Sequence, residues 1–236
     1  MEDNPATRLK KIMLDTSRFS NDSTRRVWAH YFKLEETDTT QIVRRLLMII
    51  DLFREVQQLI RWHRSEAEAE IIFKPLVSFE ALILPSNIDV SFRTLNQSHI
   101  RQQIDLCESI ISERELLPEK IDKIDRDELS SDIENLITKV KESDIRDELK
   151  EEIIEKLRAI QRALSDYDIT GNKGLRQSAE GLFGTIIANF NELQTTSIAS
   201  FLWTFSWNVL NKAAIVTTIY DQGQKLISEA SRLLGF

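Results

Sequence analysis

The sequence predicts an all-α fold: a multi-helix bundle of mostly antiparallel helices with a hydrophobic C-terminal helix. Three observations carry this expectation. Apolar residues recur at helical spacing along most of the chain. Only 6 glycines and 4 prolines occur in 236 residues, too few for the many turns of an all-β fold. The balance of 42% apolar to 29% charged residues is that of a folded chain with ample core.

The elements follow in order. In "TRLKKIMLDTSRF", Leu9, Ile12 and Met13 recur at helical spacing. Ser23 suits the N-cap of a short helix carrying Val27, Trp28, Tyr31 and Phe32. A long helix then starts at Asp38 or Thr39, with Ile42, Leu46, Ile49, Phe53, Val56 and Ile60 on one face. Pro75 and Pro85 make residues 65–91 the least regular part, with a short helix expected over Leu76–Ile83 and a loop at Pro85–Asp89. A strand at "EALIL" would find no partner. The helical pattern returns from Phe92 through Leu95, Ile100, Ile104, Cys107 and Ile111, and Pro118 closes it.

Glu113 to Arg158 holds 16 Asp and Glu against 10 Lys and Arg, which accounts for −6 of the chain's net −7. Its apolar residues form two stripes, Leu129 to Val140 and Leu149 to Tyr167, with Ser143 or Asp144 expected as the cap between them. This reads as an acidic αα-hairpin flanking the core, one stripe buried per helix. A further helix carries Leu175, Leu182, Phe183, Ile186, Phe190 and Leu193. These patterns divide the chain into an N-terminal helical subdomain (1–64), a central bundle with the hairpin (65–196) and a hydrophobic helical tail (197–236).

Four of the six glycines lie in "YDITGNKGLRQSAEGLFGTI". A phosphate-binding P-loop needs G-x-x-x-x-G-K-[ST], and a dinucleotide site needs G-x-G-x-x-G after a strand; neither is present. Gly171 instead sits where a helix end needs a left-handed residue. Gly181, Gly184 and Ala188 share one helical face and are expected at a close helix–helix crossing. His30, His63 and His99 have no i+3 or i+4 partner of metal-site spacing, and "DKIDRDELSSDIE" lacks the glycine of a calcium loop. Cys107, the only cysteine, reads as a core residue eight positions from His99, too far for direct contact along a helix. No catalytic residue, metal or cofactor is therefore expected. The negative charge removes the global attraction to phosphate, so nucleic acid is not an expected partner. Arg25–Arg26 and Arg44–Arg45 read as solvated pairs or as partners of the acidic hairpin.

The tail is the unusual segment. Phe201, Trp203, Phe205 and Trp207 crowd into seven residues, with 201 and 205 on one helical face and 203 and 207 nearly opposite. The run from Ile198 to Tyr220 is long enough to span a bilayer, but one central lysine such as Lys212 costs about 2.5–3.5 kcal/mol there. Three readings stand: a helix closing the bundle, a partner-binding helix, or a membrane-active segment. The interface reading assigns Phe201, Trp203, Phe205 and Trp207 to contact with a protein partner or a second copy, with the outer pair Trp203 and Trp207 covered by it.

The stretches "RRVWAHYFKLE" and "LRAIQRALSDYDITGNKGLRQSAEGLFGTI" resemble signatures of a family of uncharacterised bacterial all-helical proteins. The resemblance runs from Arg8 to Ile186 and implies a bacterial source and an all-helical body. The family has no established activity, so no site carries over. The expected function is a non-enzymatic protein-interaction module of the bacterial cytoplasm, with a link to a defence or toxin system suggested by the tail. The alternative is a membrane-acting effector whose C-terminal helix inserts into or lies on the bilayer. The absence of a signal-peptide pattern and of a second cysteine fits the cytoplasmic expectation.

Overall fold

A computed structural model describes residues 2–17, 19, 22–89 and 97–213, with the backbone alone at 97–99. All regular structure among the described residues is helical, as the sequence predicts. The chain divides into two compact units, Asp3–Leu117 and Pro118–Phe236, the second also taking residues 1–2. This division differs from the expected boundaries at 64 and 196. The long helix before position 64 is the spine of the first unit, and the tail helix is one wall of the second, so neither boundary separates two cores.

The first unit contains α1 (Pro5–Thr16), α2 (Thr24–Phe32), α3 (Thr39–His63), α4 (Glu66–Phe73), α5 (Val77–Ile83) and α6 (Gln97–Arg114), with short 3-10 turns at Lys74–Leu76 and Pro85–Asn87. Helix α3 packs against α1, α2, α4, α5 and α6. Its buried stripe is Ile42, Leu46, Ile49, Leu52, Phe53, Val56 and Ile60, so 25 residues of amphipathic helix organise five neighbours. Three caps are local: Asn4 accepts from the Ala6 amide, Ser23 from Arg26 and Asp38 from Gln41. Helix α4 is an element the proline-centred reading misses. It starts at a reciprocal cap, in which the Ser65 amide donates to the Glu68 carboxylate at 2.9 Å and the Glu68 amide to the Ser65 hydroxyl at 3.4 Å. The Ser65 hydroxyl also holds the Glu68 carboxyl below its usual range.

Polar stitches join α1 to α6. Asn4 donates to the Glu108 carbonyl at 3.1 Å and to Ser112 Oγ at 2.9 Å, and Thr7 donates to the Glu108 carboxylate at 2.6 Å. Lys10 bridges Asp105 at 2.6 Å and Glu108 at 2.9 Å. Buried Trp28 donates its indole N–H to the Leu82 carbonyl at 3.1 Å, tying α2 to α5.

The second unit is a four-helix bundle of α7 (Lys123–Glu142), α8 (Asp147–Ser165), α9 (Tyr167–Ala188) and α11 (Ile198–Ala213), with a one-turn α10 (Phe190–Leu193) before the last. Helix α7 packs on α8, α8 on α9, α9 on α11 and α11 back on α7, a closed ring. The hairpin is thus not a flank of a core elsewhere. Leu129, Ile133, Leu136, Ile137 and Val140 of α7 and Leu149, Ile153, Leu157, Ile160 and Leu164 of α8 are core residues of this bundle. One apolar stripe per helix is what a four-helix ring requires, so amphipathicity does not mark a helix as peripheral. The expected cap at Ser143 or Asp144 also shifts: α8 begins at Asp147, preceded by Arg146 with no side-chain cap.

The corner between α8 and α9 answers the glycine question. Gly171 lies inside α9 at φ 59° and ψ −158°, a conformation essentially restricted to glycine, and the helical path breaks there. A Cβ on Gly174 would stand 2.5 Å from Cβ and Oγ1 of Thr170, so the break brings the backbone too close for any side chain. Tyr167, fully buried, anchors the corner. Its hydroxyl accepts from the Ile121 amide at 2.9 Å and donates to the Asn172 side chain, which in turn donates to the Glu119 carbonyl at 2.8 Å. The Arg126 guanidinium lies 4.9 Å from the Tyr167 ring centroid.

Tyr167→Phe should lower unfolding free energy by about 1–3 kcal/mol, because the Ile121 amide and Asn172 lose a buried partner while packing is kept. Urea melts of the full chain measure this, and a loss under about 0.5 kcal/mol would contradict the anchoring role. Gly174→Ala should destabilise more than Gly184→Ala in the same helix, since only the former meets Thr170.

Candidate functional site

The glycine face is solvent-facing rather than a crossing. Gly181, Gly184 and Ala188 are all exposed. A Cβ on Gly184 would meet nothing within 4 Å, and one on Gly181 would meet only the Lys156 side chain at 3.9 Å. The contact face of α9 is instead Leu175, Ala179, Leu182 and Ile186, roughly opposite on the helix. Small residues at a shared spacing mark a face; the bulky residues opposite them decide that this face looks outward.

The four tail aromatics separate. Phe205 is buried in the bundle core, and Trp203 packs against that core with its ring centroid 4.9 Å from Phe183 of α9. Trp207 is half-buried. Phe201 is the exposed one, at 47%. The expectation that Trp203 and Trp207 form the outer pair is corrected. Helix α11 sits between α9 and α7, so both flanks of its aromatic girdle have neighbours, and the face left open is the one carrying Phe201.

That open face borders a groove of about 510 Å³ between α7 and α11. Leu136, Phe201 and Phe205 supply its apolar surface, and Asp132, Asn135, Lys139, Ser200, Thr204 and Asn208 its polar surface. The Lys139 ammonium rests 3.5 Å from the centroid of the Phe201 ring, a cation–π contact that holds both side chains at the rim. Lys212, the residue that makes a bilayer position costly, pairs with Asp125 at the start of α7. No helix among the described residues is long and apolar enough to cross a membrane. The expected Ile198–Tyr220 run extends past Ala213, and its remainder lies outside the described residues.

The other candidates resolve into structural roles. Cys107 is fully buried, and burial pushes its thiol up to about 12, so it is a protonated core group at neutral pH. His63 Nε2 stands 2.6 Å from the Glu115 carboxylate, joining the ends of α3 and α6. The side chain of His99 lies outside the described residues. Among the described residues no group of three His, Cys, Asp or Glu side chains has metal-site geometry.

Each arginine of the basic pairs has a partner within the first unit. Arg25 bonds Asp89 at 2.7 Å, Arg26 bonds Glu36 at 2.9 Å, Arg44 bonds Gln41 at 3.2 Å, and Arg45 donates to the Phe32 carbonyl at 2.7 Å. Trp62, 85% exposed in the last turn of α3, is a surface aromatic that the sequence reading leaves among the helix residues. Its position four residues before the first of the α4 acids, Glu66, gives no pattern signal.

On the hairpin's outer surface, charge reversal at Glu148 should change stability by no more than about 0.5 kcal/mol, since it is exposed. Glu152 differs, because its carboxylate accepts from buried Thr185 at 2.9 Å. Glu152→Lys should cost about 0.5–1.5 kcal/mol more than Glu148→Lys, and equal melting points for the two variants would refute the distinction. No family model matches the chain, and neither a curated protein nor a solved structure does.

Proposed function

We propose that the chain is a non-enzymatic helical protein-interaction module that works through its C-terminal helix. The observation that carries this reading is Phe201. A large aromatic ring stays 47% exposed on a helix whose other face is core, beside a groove with apolar and hydrogen-bonding surface. Exposed aromatics held at a fixed rim position are the kind of anchor that interfaces use. The cation–π contact with Lys139 reduces the side-chain ordering that association would otherwise require.

The membrane-acting alternative is served less well by the same face. Asp132, Asn135 and Asn208 line the groove with polar groups that a protein surface can satisfy and a hydrocarbon phase cannot.

Phe201→Ser tests the reading. The expected outcome is an unchanged helical circular-dichroism spectrum, because the ring is outside the core, with at least a fivefold loss of the chain's association with itself or with a co-purifying protein by sedimentation. Pelleting of the parent chain with phosphatidylcholine–phosphatidylglycerol vesicles, abolished in the variant, would favour the membrane reading instead. Association unaffected by the substitution would rule out α11 as the working face.

A further inference from the structure

We infer that the α7–α11 groove is the contact face for a second copy of this chain, docked about a two-fold axis that passes near Asn135 and Leu136. The inference rests on the interaction reading of α11 and adds the partner and its register. It starts from the charges on the rim. Asp132 and Lys139 both lie on α7 and both line the groove. They are seven residues apart, two helical turns or about 10 Å. They do not pair with each other, and Asp132 has no hydrogen bond or ion pair among the described residues. Lys139 is held over the Phe201 ring rather than by a carboxylate.

A negative and a positive group at two ends of one surface make that surface complementary to itself. In a two-fold contact, residue i meets residue j while j meets i. Two antiparallel α7 helices centred between the pair therefore place Asp132 of each copy opposite the other copy's Lys139, twice per dimer. Exposed Asn135 falls at the centre, where its amide can donate and accept across the axis, while Leu136 beside it is buried in the bundle core. The antiparallel course of α11 beside α7, set by Lys212 with Asp125 at one end and Lys139 with Phe201 at the other, puts Thr204 beside the same centre. Thr204, Asn135 and Asn208 likewise have no side-chain hydrogen bond among the described residues, and they supply neutral donors and acceptors around the axis. Phe201 then loses its exposed area against the partner surface. A like-charged or one-signed groove would repel its own copy; this one selects it, with charge fixing register and the aromatic and apolar groups supplying attraction. The small apolar area implies weak association, in the micromolar range rather than the nanomolar.

The test is a charge exchange read by analytical ultracentrifugation of the full chain, from about 5 to 500 µM. The parent is expected to dimerise reversibly. Asp132→Lys and Lys139→Asp alone should each raise the dimer dissociation constant at least tenfold. The double variant D132K/K139D should recover to within about threefold of the parent, because its face is self-complementary again. An equimolar mixture of the two single variants should also recover, as heterodimers, since lysines then meet aspartates at both ends. Circular dichroism should be identical throughout, the substituted positions being exposed. A parent that stays monomeric at every concentration overturns the inference, as does a dimer indifferent to both single changes. Single variants that dissociate without recovery in the double variant or the mixture show that another partner or register uses the face. A Phe201→Ser effect that persists when the exchange fails leaves the interaction reading standing and removes only the second copy.

Discussion

The second unit depends on one buried hydroxyl. Tyr167 stands at the junction of α8 and α9 and reaches back to the segment before α7, accepting from the Ile121 amide at 2.9 Å. Three consecutive helices are thereby fixed at one end of the bundle. Without that link, the loop carrying Glu119 to Ile121 would have to satisfy its buried polar groups elsewhere, at a cost of about 1–3 kcal/mol for each one left unpaired. The ring of contacts α7, α8, α9, α11 closes only if α7 starts in the right place relative to α9. Asn172 reinforces the position by donating to the Glu119 carbonyl, and Gly171 supplies the backbone turn that lets Asn172 face Tyr167.

This explains why glycine concentrates where it does. Gly171 is required by its dihedral angles and Gly174 by its approach to Thr170. Gly181 and Gly184 are required by neither, since a Cβ would meet nothing within 4 Å at Gly184 and only the flexible Lys156 side chain, at 3.9 Å, at Gly181. A single glycine-rich segment thus contains two structural glycines and two that the packing leaves unconstrained. The spacing of glycines does not distinguish them, because both kinds fall three residues apart. What distinguishes them is the position of Tyr167 and of the Leu175, Ala179, Leu182 and Ile186 stripe.

Much of the fold is legible in the sequence because it is local. The stripe of α3, both hairpin stripes and the caps at Ser23 and Asp38 are each encoded within a few residues, and each forms as its pattern demands. Helix α4 was equally local: Ser65 and Glu68 have capping-box spacing, but Pro75 and Pro85 dominate the reading of that region. The site is less legible because burial is not a local property. Phe201 and Phe205 look equivalent in a helical projection. Only the packing of the whole bundle buries Phe205 and leaves Phe201 at a rim. In the same way, Trp203 looks exposed until Phe183 of α9 is set beside it.

The tail aromatics therefore do two jobs with one sequence pattern. Trp203 and Phe205 tie α11 into the bundle from opposite sides, which fixes the helix about its own axis. That fixed rotation determines that Phe201, one turn before Phe205, emerges beside α7 instead of turning inward. Lys139 then meets its ring because α7 and α11 run antiparallel with Lys212 and Asp125 paired at the far end. The open groove follows from core packing: α11 is locked by its buried aromatics, and locking leaves one aromatic outside. An acidic α7 keeps that opening from being a plain apolar patch, since Asp132 and Lys139 border it with opposite charges. A surface of this kind is apolar enough to gain from being covered and charged enough to discriminate what covers it.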